Sequence, residues 1–497
     1  MTPARAPLND AALSHLEGIP VPGYDRATLR PGIAHFGVGN FHRAHQAVYV
    51  DRYLRQSGDV NWGIVGIGVS DGDAARRKAA VFTEQDYLYT LTEFDPSGAA
   101  TSRVIGAMTD YLLAPREPER VLDLLASPSL HLVTLTITEG GYFLETTTGA
   151  FAGDRPEVLA EFESATPSTV FGFLVRALER RRDRGVAPFT VVSCDNLPHN
   201  GDVARTAVLG FAARRDPRLA QWIEDNVAFP NSMVDRVVPY VSPATRDDLN
   251  ERTGLDDALA VTGESYLQWV LENKFSDVRP ALEEVGVQIV DDVTPYETLK
   301  LRLLNAPHVL LSYPAVLAGY RLVHEAMADS TLRALLERFV ELDVIPILEN
   351  VPADVRVRDY AHTIFERFGN PAIGDQLLRI ATDGASKIPT FHAPITSRLV
   401  HDEKNVAREV LLLACYRRYL GGVDDRGERF EVTEPTLSAE DFAALRREND
   451  PTPALRIPAF QPLGLGDYPA ASPLLALIDT ALAREGVIAT IERYGLD

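Results

Sequence analysis

Cysteine is nearly absent: Cys194 and Cys415 are the only two in 497 residues. A single pair builds neither a disulfide scaffold nor a multi-cysteine metal site, and such sparing use fits a reducing, cytoplasmic setting. Lysine is almost as scarce. Of 49 basic residues 44 are arginine, which leaves Lys78, Lys274, Lys300, Lys387 and Lys404. Arginine stays charged at any useful pH, whereas burial can drive a lysine neutral, so the few lysines are marked for proton chemistry. Positive charge as a whole is outweighed, 49 against 70 acidic residues, for a net −21 with histidine neutral. That surface repels phosphate backbones and anionic lipid, so neither nucleic acid nor a membrane is expected as a partner. No stretch approaches the ~20 apolar residues of a membrane span. The N-terminal MTPARAPLNDAALSHLEGIP has no apolar run of signal-peptide length.

What remains is ordinary for a folded protein: 45% hydrophobic and 24% charged residues, with length for two or three domains at about 100–200 residues each. The first part alternates short apolar runs with helical periodicity. IAHFG (33–37), WGIVGIG (62–68), HLVTLTI (131–137) and FTVVS (189–193) read as strands, as does Val285–Val290. His42–Gln56 and Thr169–Arg184 read as helices, and DPSG centres a hairpin between Tyr87–Phe94 and Ser102–Ala107. Strands alternating with helices imply a parallel sheet covered on both faces. Beyond about residue 290 strand candidates nearly vanish. Pro295–Met327, Ser330–Leu342, Tyr360–Phe368, Glu403–Leu420, Ala439–Arg447 and Pro473–Glu485 read as helices. The expected division is an α/β domain over 1–290 and a mostly helical domain over 291–497.

Three groups of residues carry chemistry. Gly37-Val38-Gly39-Asn40-Phe41-His42 joins the first strand to the first helix, the place where a dinucleotide's pyrophosphate meets backbone N–H groups and a helix N-terminus. His42 stands where a third Gly or Ala is usual. Asp71 and Asp73 follow the second strand, where a carboxylate accepts ribose hydroxyls and repels a 2′-phosphate, favouring NAD. Arg76 and Arg77 nearby keep NADP open, and an exposed Asp-Gly turn is the plain alternative.

The second group lies in turns at the carboxyl ends of strands, which face the ligand crevice of an open parallel sheet. One is Thr138-Glu139-Gly140-Gly141, expected on the cofactor side. The other, Cys194 to Pro198, offers Asn196, whose amide donates to a developing oxyanion without titrating. It would equally cap a turn before Pro198. The third group is Lys300, Asn305 and His308 within Glu297–Tyr320. At ~100° per residue Asn305 lies about 140° and His308 about 80° from Lys300, on one side of a helix. Their neighbours are apolar, so these polar groups need partners or a ligand. A desolvated lysine there acts as a general base. Pro307 interrupts the ladder and kinks the helix or starts a new one.

In order along nearly the whole chain, IAHFGVGNFHRAHQ (33–46), TLTITEGGY (134–142), SCDNLPHNG (193–201), PNSMVDR (230–236), DDVTPYETLKLRLLNAPH (291–308) and ATDGASKIP (381–389) resemble the mannitol dehydrogenase family, the polyol-specific long-chain dehydrogenases/reductases. The resemblance is stronger to its mannitol-oxidising branch than to its hexuronate reductases. It implies an N-terminal Rossmann-type doubly wound domain and a helical C-terminal domain. It implies Lys300 as a catalytic base with no metal, Asn196 and Asn305 as the oxyanion site, and His308 orienting substrate. Asp235, Arg379 and Lys387 would line the substrate pocket. The implied reaction is NAD-dependent interconversion of a polyol and a ketose at C2, by a chain that can act as a monomer. A hexuronate reductase or a non-catalytic NAD-binding sensor are the alternatives.

Overall fold

The computed structural model describes residues 5–145, 148–447 and 450–496. The chain divides into two compact units, Met1–Asp95 with Ala99–Thr294, and Pro295–Asp497 with Pro96–Gly98. The division at Thr294 compares with 290 expected from the loss of strand patterning.

The first unit is built on five strands, β1 (Pro31–Phe36), β2 (Gly63–Gly68), β3 (Met108–Leu113), β4 (Leu132–Leu135) and β5 (Thr190–Ser193). All neighbours pair in parallel, in the order β3-β2-β1-β4-β5. Because strand side chains alternate, each strand feeds two cores. Ala34, Phe36, Val65, Ile67, Val133, Leu135 and Val191 pack on one face, with Pro118–Ala126, α4 (Val170–Arg184) and α5 (Asn200–Arg215). Ile33, Ile64, Leu132 and Val192 pack on the other, with α2 (Gln46–Ser57) and Phe82 of α3 (Asp73–Glu84). This is the doubly wound Rossmann arrangement, whose strand order reverses between β1 and β4.

Three smaller sheets complete the unit among the described residues, one of them the parallel pairing of Ala6–Pro7 with Leu255–Asp256. Tyr89–Phe94 and Ala100–Ile105 form the expected hairpin, with Val261–Glu264 parallel to its first strand. Ser232–Asp235 runs antiparallel to Gln268–Glu272, with Gln288–Val290 parallel on the other edge. The run expected as a strand at Val285–Val290 thus shortens to three residues and joins this sheet rather than the central one. The helix read over His42–Gln56 is broken at His45 (φ −127°, ψ −87°), leaving α1 (Asn40–Ala44) ahead of α2.

The second unit is helical around one core. The single helix read over Pro295–Met327 resolves into α6 (Thr294–Lys300), a π-helical segment Leu301–Asn305, α7 (Ala306–Leu317) and Val323–Ala328. Further on lie α8 (Val357–Phe368), α9 (Leu377–Ala381), α10 (Gly384–His401) and α11 (Ala407–Tyr419). Glu403, expected to open that last helix, instead takes a left-handed conformation (φ 52°).

Arg181 of α4 is 1% exposed. Its guanidinium donates to the carbonyls of Leu125 (2.9 Å), Ser127 (3.0 Å), Leu130 (3.0 Å) and Ala187 (2.6 Å). It thereby ends the helix Pro118–Ala126 and fixes the approach to β4. Arg181→Leu would orphan four acceptors, at about 1–3 kcal/mol for each that water cannot reach. Thermal unfolding of this variant should begin several degrees lower; an unchanged midpoint would show that the carbonyls find other donors.

Candidate active site

The first unit by itself holds a cradle at the β1–β4 reversal. Gly37 has φ +89°, and a Cβ there would lie 2.0 Å from the Thr136 carbonyl, so the tight turn demands glycine. The Thr136 hydroxyl donates to the Gly37 carbonyl (2.7 Å), tying the ends of β1 and β4 together. Gly39 is the N-cap of α1 with no side-chain acceptor. A Cβ on Gly39 would meet nothing nearer than 3.7 Å, so the backbone is open to a close approach. Lys78 of α3 donates its amine to the Val38 carbonyl. Burial, with Arg43 nearby, lowers the amine to about 8.

His42, at the third position of the glycine pattern, is fully buried and stacks on His35 of β1, centroids 3.5 Å apart. Helix and strand therefore meet through rings rather than through a glycine. The His35 nitrogens face the Thr134 (2.7 Å) and Thr136 (2.9 Å) hydroxyls, and burial lowers the imidazole to about 3. Asn40 accepts from Arg43 (2.8 Å), and Phe41 stacks on His45 (4.9 Å).

Asp71 is not a free carboxylate. It accepts from Nε of Arg116 (2.5 Å) and from Arg76 (3.2 Å), and the Arg116 hydrogen bond holds it below its usual range. Asp73 pairs with the same Arg76. The turn Thr138-Glu139-Gly140 is exposed, with Thr138 at φ 64°. Asp195, which the motif reading passed over, fixes that turn. It accepts from the amides of Ile137 (3.0 Å) and Thr138 (2.9 Å) and from the Tyr142 hydroxyl (2.6 Å). Burial raises its carboxyl. Asn196 follows it, with an exposed side chain at the end of β5. Asp235 is buried at the end of Ser232–Asp235, opposite Gln268.

The second unit by itself carries Lys300, Asn305 and His308. Lys300 is 8% exposed at the end of α6. The 140° separation worked out for an α-helix does not apply, because Leu301–Asn305 is π-helical and the Ala306 N–H donates to the Leu301 carbonyl, five residues back. An i→i+5 winding brings residues five apart onto one face, and Lys300 and Asn305 have that spacing. Asn305 Oδ1 and His308 Nε2 are buried without a hydrogen-bond partner among the described residues. His308 stacks on Phe368 of α8 (4.4 Å), and burial lowers it to about 4. Asp375, a second residue the motif reading missed, lies 3.7 Å from His308 Nε2 and accepts from Arg379 (2.7 and 2.9 Å). The Lys387 amine donates to the carbonyls of Arg379 (3.3 Å) and Ile380 (3.0 Å). A signal for Asp375 was its i,i+4 spacing to Arg379; Asp195 announced itself only by following a strand. No group of three or more metal-ligating side chains occurs among the described residues.

Residues 31–284 match the family described as mannitol dehydrogenase Rossmann domain, and residues 292–473 the mannitol dehydrogenase C-terminal domain. A relative in Gluconobacter oxydans, named polyol:NADP oxidoreductase, is 48% identical over 443 residues, covering 89% of this chain and 90% of its own. The structure of D-sorbitol dehydrogenase in substrate-free form superposes with a TM-score of 0.93 at 44% identity, over 98% of this chain and 100% of that one. Mannitol 2-dehydrogenase from Pseudomonas fluorescens, in a ternary complex with NAD and D-mannitol, gives 0.85 at 41% identity, over 98% and 99%.

The position of His308 sets a pH dependence. Its folded-state value near 4 lies below the ordinary 6.5. The unfolded chain therefore binds the proton first, and the stability due to burying neutral His308 is complete above 6.5 and lost as pH falls toward 4, by up to about 1.4 kcal/mol per pH unit. The imidazole resonances of His308 should titrate near pH 4; a midpoint near 6.5 would mean a solvated ring.

Proposed function

This chain belongs to the mannitol dehydrogenase family, and on that footing we propose that it interconverts D-mannitol, or a closely related polyol, and D-fructose at C2, with NAD and without a metal. At the coarser level it is an oxidoreductase acting on CH–OH groups. The observation that carries the proposal is the pair of orphaned buried atoms, Asn305 Oδ1 and His308 Nε2, on the same helical run as buried Lys300. Polar atoms withdrawn from water without partners mark a place where a polar ligand completes them.

The cradle fits a dinucleotide. Gly37 permits the turn, Gly39 leaves the backbone open, and the uncapped N–H groups of α1 offer donors. Val38, Asn40, Phe41 and His42 complete the loop, and Thr138, Glu139 and Gly140 border it across the strand reversal. When bound, the nicotinamide supplies the hydride acceptor or donor. Lys300, in its unprotonated form, takes the hydroxyl proton onto Nζ. Asn196 and Asn305 hold the alkoxide through their Nδ2–H groups, the orphaned Asn305 Oδ1 is left to accept from a substrate hydroxyl, and neutral His308 orients a neighbouring hydroxyl. Asp235, Arg379 and Lys387 bind the rest of the polyol. A positioned base contributes about 10²–10⁴-fold and one oxyanion donor about 10²–10³-fold.

The engagement of Arg379 by Asp375, and of Lys387 by two carbonyls, favours a neutral polyol over a uronate, whose carboxylate needs an uncompensated cation. A second reading of the cofactor rests on Arg76 and Arg116. Both guanidinium groups converge on Asp71, and they are the cations a 2′-phosphate would recruit. Asp71 itself opposes that phosphate, which is why NAD is the first choice.

Lys300→Ala should lose about 10²–10⁴-fold in turnover while retaining NADH binding; near-normal turnover would remove Lys300 as the base. Polyol oxidation should rise with pH as Lys300 gives up its proton, and a flat profile with the chemical step limiting would count against that role. In reduction assays, fructose should be turned over faster than fructuronate, and NADH preferred to NADPH. Asp71→Ala should shift the NADPH/NADH ratio of kcat/KM upward by about tenfold or more, roughly the 1.4 kcal/mol of one removed like charge. An unchanged ratio would place cofactor selection elsewhere.

A further inference from the structure

The π-helical segment Leu301–Asn305 needs support from outside itself. An i→i+5 turn has poorer hydrogen-bond geometry than an α-helix, and Pro307 withholds an N–H from the ladder at the same point. Asn305 cannot be oriented through its side-chain oxygen, which has no partner among the described residues. Its orientation has to come from the backbone.

Two contacts link this run to α10, one through the Arg302 side chain and one at the backbone. Arg302 donates to the Phe391 carbonyl (3.1 Å), and His392 Nε2 lies 3.0 Å from the carbonyl of Ala306, the residue after Asn305. A carbonyl only accepts, so Nε2 carries the proton. On the other side of the ring, Nδ1 lies 3.1 Å from both carboxylate oxygens of Glu409 on α11. The His392 and Glu409 side chains are 0% and 2% exposed. Either Nδ1 donates to the carboxylate, or the carboxyl donates to Nδ1. Both arrangements hold the same number of protons, and both keep Nε2–H aimed at Ala306. A flipped ring would put carbon against the carbonyl. The Phe339 ring (5.5 Å) and the neighbouring buried pair Arg408–Asp343 (2.5 and 2.8 Å) enclose the dyad.

We infer that His392, held by Glu409, is a positioning residue for the reaction: through the Ala306 carbonyl it fixes the Ala306–Pro307 peptide, where the π-helical segment passes into α7, and so aims the adjoining Asn305 amide. This rests on the proposed roles of Lys300 and Asn305. It adds a chain Glu409–His392–Ala306 that touches neither substrate nor cofactor.

Two substitutions separate the halves of the dyad. In His392→Gln the amide nitrogen replaces Nε2 and keeps the bond to Ala306. In His392→Asn it replaces Nδ1 and keeps the bond to Glu409 only. Both lose the ring, so both lose similar packing. H392N should lose about 10–100-fold in kcat with fructose, with KM for NADH within about threefold, and H392Q should retain kcat within about threefold, at comparable thermal midpoints. Equal loss in both, or none in either, would overturn the inference. Should neither variant fold, nitrogen NMR of the wild-type enzyme decides: Nε2 of His392 must be protonated at pH 7.5, and an unprotonated Nε2 would overturn it. Lys300→Ala, measured alongside, keeps the two questions apart. Full turnover in K300A removes the reading on which the brace rests. Lost turnover in K300A with wild-type kcat in H392N removes the brace alone.

Discussion

A polar atom withdrawn from water costs on the order of 1–3 kcal/mol unless another polar atom meets it, and that constraint orders both units. In the first, Arg181 is met by four carbonyls. Asp257, fully buried, accepts from Gln85, the Leu259 amide, and both the amide and the hydroxyl of Thr90. Asp195 does the same for the turn after β4. In the second, Glu409 meets His392 and Asp343 meets Arg408. Other buried side-chain atoms also lack a partner among the described residues, both nitrogens of His42 included, but Asn305 and His308, three residues apart and each with an orphaned atom, stand out because they sit on the run that carries Lys300. Polar groups a core leaves unfinished on one helical run are what a binding surface requires before its ligand arrives.

The bias toward arginine follows from the same constraint. Arg43, Arg181, Arg236 and Arg408 are all buried. A planar fork with five donors can satisfy several carbonyls or a carboxylate at once without losing its charge. Lysine cannot, and the chain uses it sparingly. Lys78 and Lys387 hold carbonyls, and Lys274 pairs with Glu272 (2.9 Å). Lys300 sits in the helical core region of the second unit, where a side chain able to shed its proton is chemically distinct from another arginine.

The central sheet was legible because its strands are short apolar runs bounded by glycine turns, and because covered parallel strands leave no polar face to confuse the pattern. The glycine cradle was legible from Gly37 and Gly39, whose freedom is local. His42 in the third position was legible only as a departure. Its partner His35 lies across the turn on β1, and no local rule pairs two rings that way. Asp195 and Asp375 escaped for a related reason: each acts by reaching other turns or rings, and an isolated Asp after a strand or before a helix reads as a cap. Gln288–Val290 kept its strand character but changed sheets, since periodicity says nothing of which edge a strand joins.

The π-helical segment is the feature least legible in the sequence. Lys300 and Asn305 are five apart. In an α-helix that spacing splays them by about 140°, which keeps them on one side but well apart. Pro307 was the visible clue, a missing donor that leaves the ladder free to widen by one residue. Widening it to i→i+5 stacks the pair on one face, at the cost of weaker internal hydrogen bonds. The run is then tied to α10, by the Arg302 side chain at the Phe391 carbonyl and by His392 at the Ala306 carbonyl. The residues that present the chemistry and those that make the presentation possible are thus 86 to 89 positions apart in sequence. Only the fold of the helical unit joins them.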